Sequence, residues 1–139
     1  MSVRVLIADD HAVVRRSLTR VLELESGVQV VGEAPDGSAA VQLAEKLRPD
    51  VVLMDVMMPS MDGIDATRRI VQDHPATIVI GLSVHDCRAY AVRMLRAGAR
   101  AYVLKDGGAE ELALAMKVTR AGHTYLSPGI EGLDRLGTS

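Results

Sequence analysis

Asp50-Val51-Val52-Leu53-Met54-Asp55 holds four consecutive apolar residues closed by a carboxylate. A run of this kind has no polar face. It therefore reads as a strand buried on both sides, as in a parallel sheet covered by helices on each face. The loop after it, Val56 to Gly63, carries Pro59, so the chain leaves the strand at Asp55 without a continuing period.

The same grammar recurs on either side. Val3 to Ala8 is an apolar run broken only by Arg4 and stopped by Asp9 and Asp10. From Ala12 to Glu25, Val14, Leu18, Val21 and Leu22 fall at helical spacing, with Asp10 placed to cap the first turn and Gly27 past the end. Val28 to Ala34 reads as a second strand ended by Pro35-Asp36-Gly37, and Ala40, Leu43, Ala44 and Leu47 mark a second helix that stops before Pro49. Beyond the central run, a helix is expected over Ile64 to Asp73, a strand over Thr77 to Leu82 ending at Ser83, and a helix over Asp86 to Ala97 ended by Gly98. Ala101 to Leu104 gives a fifth strand, ending at Lys105. Glu110 to Ala121 gives a fifth helix, with Leu112, Ala115, Met116 and Thr119 on one face.

Strict alternation of strand and helix requires crossover connections and hence parallel neighbours. The expected fold is α/β, a flavodoxin-like doubly wound (βα)5 unit with a five-stranded parallel sheet in the order 2-1-3-4-5. Residues 1–123 form the expected domain, and 124–139, with Pro128, Gly129, Gly132 and Gly137, read as the start of a linker or a tail.

Composition narrows the function classes. The chain of 139 residues is 48% hydrophobic and 24% charged, the balance of a globular domain and not of a disordered chain. It contains no Phe or Trp and three Tyr, so a base-stacking surface is poorly supported, and a net charge of −2 offers no excess of cations for a phosphate backbone. One cysteine, Cys87, cannot form an internal disulfide, no apolar run reaches the roughly 20 residues of a membrane span, and the N-terminus lacks a secretory signal. The expected location is the cytoplasm.

In open parallel sheets ligands bind beyond the carboxyl ends of the strands, at the point where the winding reverses. There the sequence places Asp9, Asp10, Asp55, Ser83 and Lys105. Two carboxylates about 5 Å apart repel by roughly 3 kcal/mol at an effective dielectric near 20, so three together take up protons or hold a cation. Carboxylate oxygens suit Mg²⁺, which leaves a face open for a phosphoryl oxygen. A carboxylate is also a nucleophile toward phosphorus, with a metal, an ammonium and a hydroxyl to balance the charge on the transferring group.

Val5-Leu6-Ile7-Ala8-Asp9-Asp10-His11, Val52-Leu53-Met54-Asp55 with Met58-Pro59 and Met61-Asp62-Gly63, Leu82-Ser83, and Gly98 to Asp106 occur in order and at the expected strand ends. From Val3 to Gly122 the chain resembles the receiver domain of two-component response regulators. The resemblance implies that Asp55 accepts a phosphoryl group from a histidine kinase. It implies Mg²⁺, or Mn²⁺ in its place, held by Asp9, Asp10, Asp55 and the backbone carbonyl of Met57. Lys105 and Ser83 would grip the phosphoryl oxygens, and Tyr102 would swing inward as Ser83 moves. Such a domain is a phosphoacceptor that assists its own phosphorylation and dephosphorylation, and not an enzyme acting on outside substrates.

His11, the run from Met61 to Ile70 and Lys105-Asp106 resemble the NarL/FixJ branch, whose members carry a LuxR-type helix-turn-helix after a linker. That implies homodimerisation on phosphorylation and DNA binding through a C-terminal domain outside this chain; a stand-alone receiver is the alternative. By family analogy the first and fifth helices are a candidate self-association surface. Val84 is bulkier than the residue often found after the hydroxyl, and Asp106 stands where many receivers have proline. Slower access to the phosphoryl site follows from Val84, and phosphate release no slower than in Val84→Ala would count against it.

Each residue also has a plainer reading. Asp10 alone could cap a helix, Asp55 could sit in a turn, Ser83 could cap and Lys105 could be a solvated strand end. Their joint placement favours a site. His11 and His85 lie near the same rim but not at a metal-ligand spacing, which argues against zinc. Met54, Met57, Met58 and Met61 read as packing, Cys87 as an ordinary small residue, and Arg88, Arg93 and Arg96 as a solvated or partner-docking face. A nucleotide-binding enzyme would need a glycine-rich loop where Ala8-Asp9-Asp10-His11 stands, and an aspartyl phosphatase would usually carry a second Asp where Met57 is. A receiver-shaped interaction module that works without phosphorylation is the remaining competitor.

Overall fold

The computed structural model describes residues 2–58, 61–84 and 88–130. The strands are β1 (Val3–Ala8), β2 (Val28–Ala34), β3 (Val51–Asp55), β4 (Ile78–Ser83), β5 (Ala101–Leu104) and β6 (Tyr125–Leu126). The helices are α1 (Ala12–Glu23), α2 (Gly37–Leu47), α3 (Gly63–Asp73), α4 (Arg88–Ala97) and α5 (Gly108–Arg120), with a 3-10 turn over Lys105–Gly107. All strands pair in parallel in the order β2-β1-β3-β4-β5-β6.

The doubly wound order 2-1-3-4-5 is therefore as expected, with one addition. A sixth strand pairs Tyr125 and Leu126 with Ala101 and Tyr102, in the segment read as linker or tail. Two residues flanked by turn formers carry no period, so pattern alone does not reveal such a strand. What holds it is long-range: the Tyr125 amide donates to the Arg100 carbonyl, the Ser127 amide to the Tyr102 carbonyl, and Ile130 is fully buried.

Period-two alternation divides the core into two layers. Leu6, Val52, Met54 and Tyr102 face α2, α3 and α4, meeting Ala44, Ile70 and Met94. Val5, Ile7, Leu53, Ile80 and Val103 face α1 and α5, meeting Leu22, Leu112 and Met116. Because β3 and β4 are covered on both faces, all their residues are buried, including the terminal Asp55 and Ser83.

Helix starts follow local chemistry, with one correction. Asp36 accepts from the Ala39 amide at 2.8 Å and Asp62 from the Asp65 amide at 2.9 Å, each filling an orphan donor of a first turn. Asp10 does not cap α1; the N-cap position is His11, without a side-chain hydrogen bond. The neighbouring Asp9 turns its Oδ1 onto the His11 amide instead, at 2.8 Å. The expected helix from Asp86 begins outside the described residues, which resume at Arg88.

Candidate functional site

Sheet register assembles the site. Ala8 pairs with Met54, Asp55 with Leu82 and Ser83 with Leu104, so the residues that end β1, β3, β4 and β5 fall in one row along the carboxyl edge. Asp9 is fully buried, Asp55 and Ser83 are each 5% exposed, and the Asp10 side chain is partly open to solvent. Donor atoms of Asp9, Asp10, His11 and Asp55 all lie within 4.8 Å of one another.

Lys105 is the cation that makes this burial tolerable. Its Nζ donates to Asp9 Oδ2 at 2.5 Å and lies 3.5 Å from Asp55 Oδ2. Asp9 thereby has a donor on each oxygen, whereas among the described residues Asp55 Oδ1 receives a long contact from the Met57 amide, at 3.4 Å. The Asp55 carboxyl is raised to about 6: burial pushes it up most, the Asp9 and Asp10 charges add to the rise, and the Lys105 ammonium and the Met57 amide pull against it. Asp10 Oδ1 is buried and accepts no hydrogen bond. The pocket thus holds one half-supplied and one unsupplied carboxylate oxygen side by side, the donor chemistry that a hard divalent cation fills.

Glycine shapes the back wall. A Cβ on Gly63 would stand 2.2 Å from the Asp55 carbonyl oxygen, and the Gly63 amide donates to the Val56 carbonyl at 2.9 Å. Only a residue without a side chain lets α3 begin this close to the strand end, and that contact fixes the backbone carrying Asp55. Beside the acids, a cleft of about 420 Å³ is lined by Asp10, Met57, Met58, Asp62, Tyr90 and Arg93.

Tyr102 is fully buried, its ring lying against Gly81, where a Cβ would come within 3.0 Å of the ring. Met57 exposes its side chain, and Val84 is 68% exposed. His85 and Cys87 lie outside the described residues.

Two residues escaped the sequence reading. Arg15 donates through Nη1 to the Asp9 carbonyl at 2.6 Å and through Nε to Glu33 at 3.1 Å. It ties α1 and β2 to the backbone of the first acid. One arginine among several on α1 carries no mark of that role; the available signal was its place one turn after the acidic pair. His11 was set apart for lack of spacing, yet its Nδ1 lies 3.0 Å from Asp10 Oδ1.

Comparison with known proteins agrees with this geometry. The family model of the response regulator receiver domain matches residues 5–117. The chain belongs to that family. It is 42% identical to the response regulator GacA of Pseudomonas viridiflava over 128 residues, which cover 92% of this chain and 60% of GacA. The chain thus spans about 60% of that relative's length. A two-component response regulator of the LuxR family from Aurantimonas sp. SI85-9A1 superposes with a TM-score of 0.91 at 34% identity, covering 100% of both chains. The isolated receiver of RcsB from Salmonella enterica serovar Typhimurium, solved with phosphomimetic BeF3-, gives a TM-score of 0.84 at 29% identity, covering 96% of this chain and 99% of that one. Among the described residues no helix is long and apolar enough to cross a membrane.

Proposed function

We propose that this receiver is a phosphorylation-dependent switch in which Asp55 takes a phosphoryl group from a histidine kinase. One observation carries the reading: Asp55 is the buried, under-supplied carboxylate at the centre of the acidic pocket, with an ammonium 3.5 Å away. An Asp55 oxygen forms the new bond to phosphorus as the bond from phosphorus to the donor imidazole breaks, and the electron pair of that bond stays with the imidazole.

Asp9, Asp10, Asp55 and the Met57 carbonyl would hold Mg²⁺, with Mn²⁺ able to replace it. The ion supplies charge neutralisation for the phosphoryl oxygens. Lys105 binds a phosphoryl oxygen once its contact with Asp9 loosens, and Ser83 donates a hydrogen bond to another. Tyr102 and Ser83, on adjacent strands, form the switch: the modified Asp55 draws Ser83 toward it and biases two packings of the β4 and β5 ends. Residues 1–123 make up the receiver. Residues 124–139 lead toward an output, a LuxR-type helix-turn-helix outside this chain, so transcription control and DNA binding belong to the longer protein and its place is the cytoplasm. Exposed Val21 on α1, Leu24 just past its end and Leu114 on α5 support a homodimer through that face.

Incubation with acetyl phosphate and Mg²⁺ tests the reading by intact mass. The wild type gains one phosphoryl group and Asp55→Asn gains none. Absence of the gain in the wild type, or its survival in the variant, would leave a receiver-shaped interaction module that works without phosphorylation.

A further inference from the structure

The receiver reading accounts for three acids and a lysine in the pocket, but not for the imidazole among them. His11 Nδ1 is 3.0 Å from Asp10 Oδ1 and 3.5 Å from Asp9 Oδ1. Despite the short separation, Asp10 Oδ1 accepts no hydrogen bond, so the two atoms are close without being aligned on one another. Adjacent donors around one small cation have that relation. With cation–donor bonds of about 2.1 Å, neighbouring donor atoms in an octahedron stand about 3 Å apart and opposite ones about 4.2 Å. Asp10 Oδ1 and His11 Nδ1 match the shorter edge, and one oxygen each from Asp9 and Asp55 completes a set of donor atoms within 4.8 Å of one another. The His11 backbone is fixed for this placement, because its amide is held by Asp9 Oδ1 at 2.8 Å.

We propose that His11 is a nitrogen donor to the acidic pocket and makes it a site for borderline transition-metal dications of the Zn²⁺ and Co²⁺ class, in competition with Mg²⁺. The inference rests on the cation site described under the proposed function and extends it to which ion the site selects. Imidazole is a good donor to Zn²⁺, Co²⁺ and Ni²⁺ and a poor one to Mg²⁺, which favours oxygen. His11 therefore adds affinity for one class of ion and little for the other. A nitrogen-held ion also has one fewer position open for a phosphoryl oxygen, so an occupying Zn²⁺ acts as a competitor of phosphorylation.

The test is calorimetric titration of the intact chain with MgCl2, CoCl2 and ZnCl2, together with the visible absorption of bound Co²⁺, for wild type, His11→Asn and Asp10→Asn. Asn is a strong N-cap, and the His11 side chain is 70% exposed without a capping bond, so the substitution leaves the start of α1 supported. The expected result is a loss of at least tenfold in Zn²⁺ and Co²⁺ affinity in His11→Asn, with Mg²⁺ affinity changed less than twofold and the Co²⁺ spectrum altered. An unchanged Zn²⁺ affinity, or equal losses for all three ions, overturns the assignment of His11. Asp10→Asn separates the two levels: it should weaken every ion, and unchanged Mg²⁺ affinity in that variant overturns the underlying cation site itself.

Discussion

Two sheltered carboxylate sites lie along the sheet's carboxyl edge, one over the central strands and one beside the β5–β6 border, and are supplied in opposite ways. Glu111 on α5 accepts from Tyr125 Oη at 3.0 Å and from Ser127 Oγ at 2.8 Å, one hydroxyl for each oxygen. Ser127 Oγ in turn accepts from the Leu104 amide at 2.9 Å. Burial, followed by the Glu111 contact, holds the Tyr125 hydroxyl above its usual value, so it stays a donor. Asp55, by contrast, has one long amide contact and a shared ammonium. Glu111, saturated by its own chain, is structural: it fastens the β6 segment to α5. A carboxylate left short by its own chain keeps capacity for a ligand, and its cost appears in the raised Asp55 pKa.

The sharpest way to break this contrast is to remove the shared cation. Lys105→Ala leaves fully buried Asp9 without its partner, and stability to urea should fall by about 4 kcal/mol, part of it recovered by Mg²⁺. A loss under about 1 kcal/mol would mean that the acids do not depend on Lys105.

A somewhat smaller effect of opposite sign is expected from Asp55→Asn. The folded protein holds the Asp55 proton up to about pH 6, the unfolded chain only to about 4. Between those values the folded state binds more protons, so the Asp55 contribution to stability declines as pH rises through the window and is flat above it. Asp55→Asn escapes that decline and should exceed the wild type by about 3 kcal/mol at pH 7.5 without Mg²⁺, with no such advantage at pH 4. Urea unfolding at the two pH values measures it; equal differences at both would contradict the raised carboxyl.

The smallest change is expected at the saturated site. Glu111→Ala strands two hydroxyls and should cost about 1–2 kcal/mol. Hydrogen exchange should quicken at the Tyr125 and Ser127 amides, while Mg²⁺ affinity stays the same. Unchanged protection there would show that backbone pairing and the burial of Ile130 hold the strand without Glu111.

Much of this arrangement was legible before any coordinates. β1, β2 and β5 have the expected bounds because a buried strand writes itself as a bounded apolar run. β3 and β4 run one residue further than their apolar stretches, since ladder pairing of Asp55 with Leu82 and of Ser83 with Leu104 continues past the last hydrophobe. Asp9, Asp55 and Lys105 were visible as interruptions at strand ends. Arg15, Glu33 and β6 were not: Glu33 and β6 acquire their roles from partners distant in sequence, and the place of Arg15 shortly after the acidic pair does not set it apart from the other arginines of α1. That Asp9 and not Asp10 turns onto the His11 amide at the start of α1 has the same origin: adjacent identical residues differ only in the direction the fold gives them.

The two-residue strand β6 also determines what the outside world can touch. It sits against Ala101 and Tyr102, so the ladder groups it engages are withheld from strands of other molecules. A receiver shortened to end before Thr124 would offer that rim bare, and sticky self-assembly under concentrated conditions would be its signature.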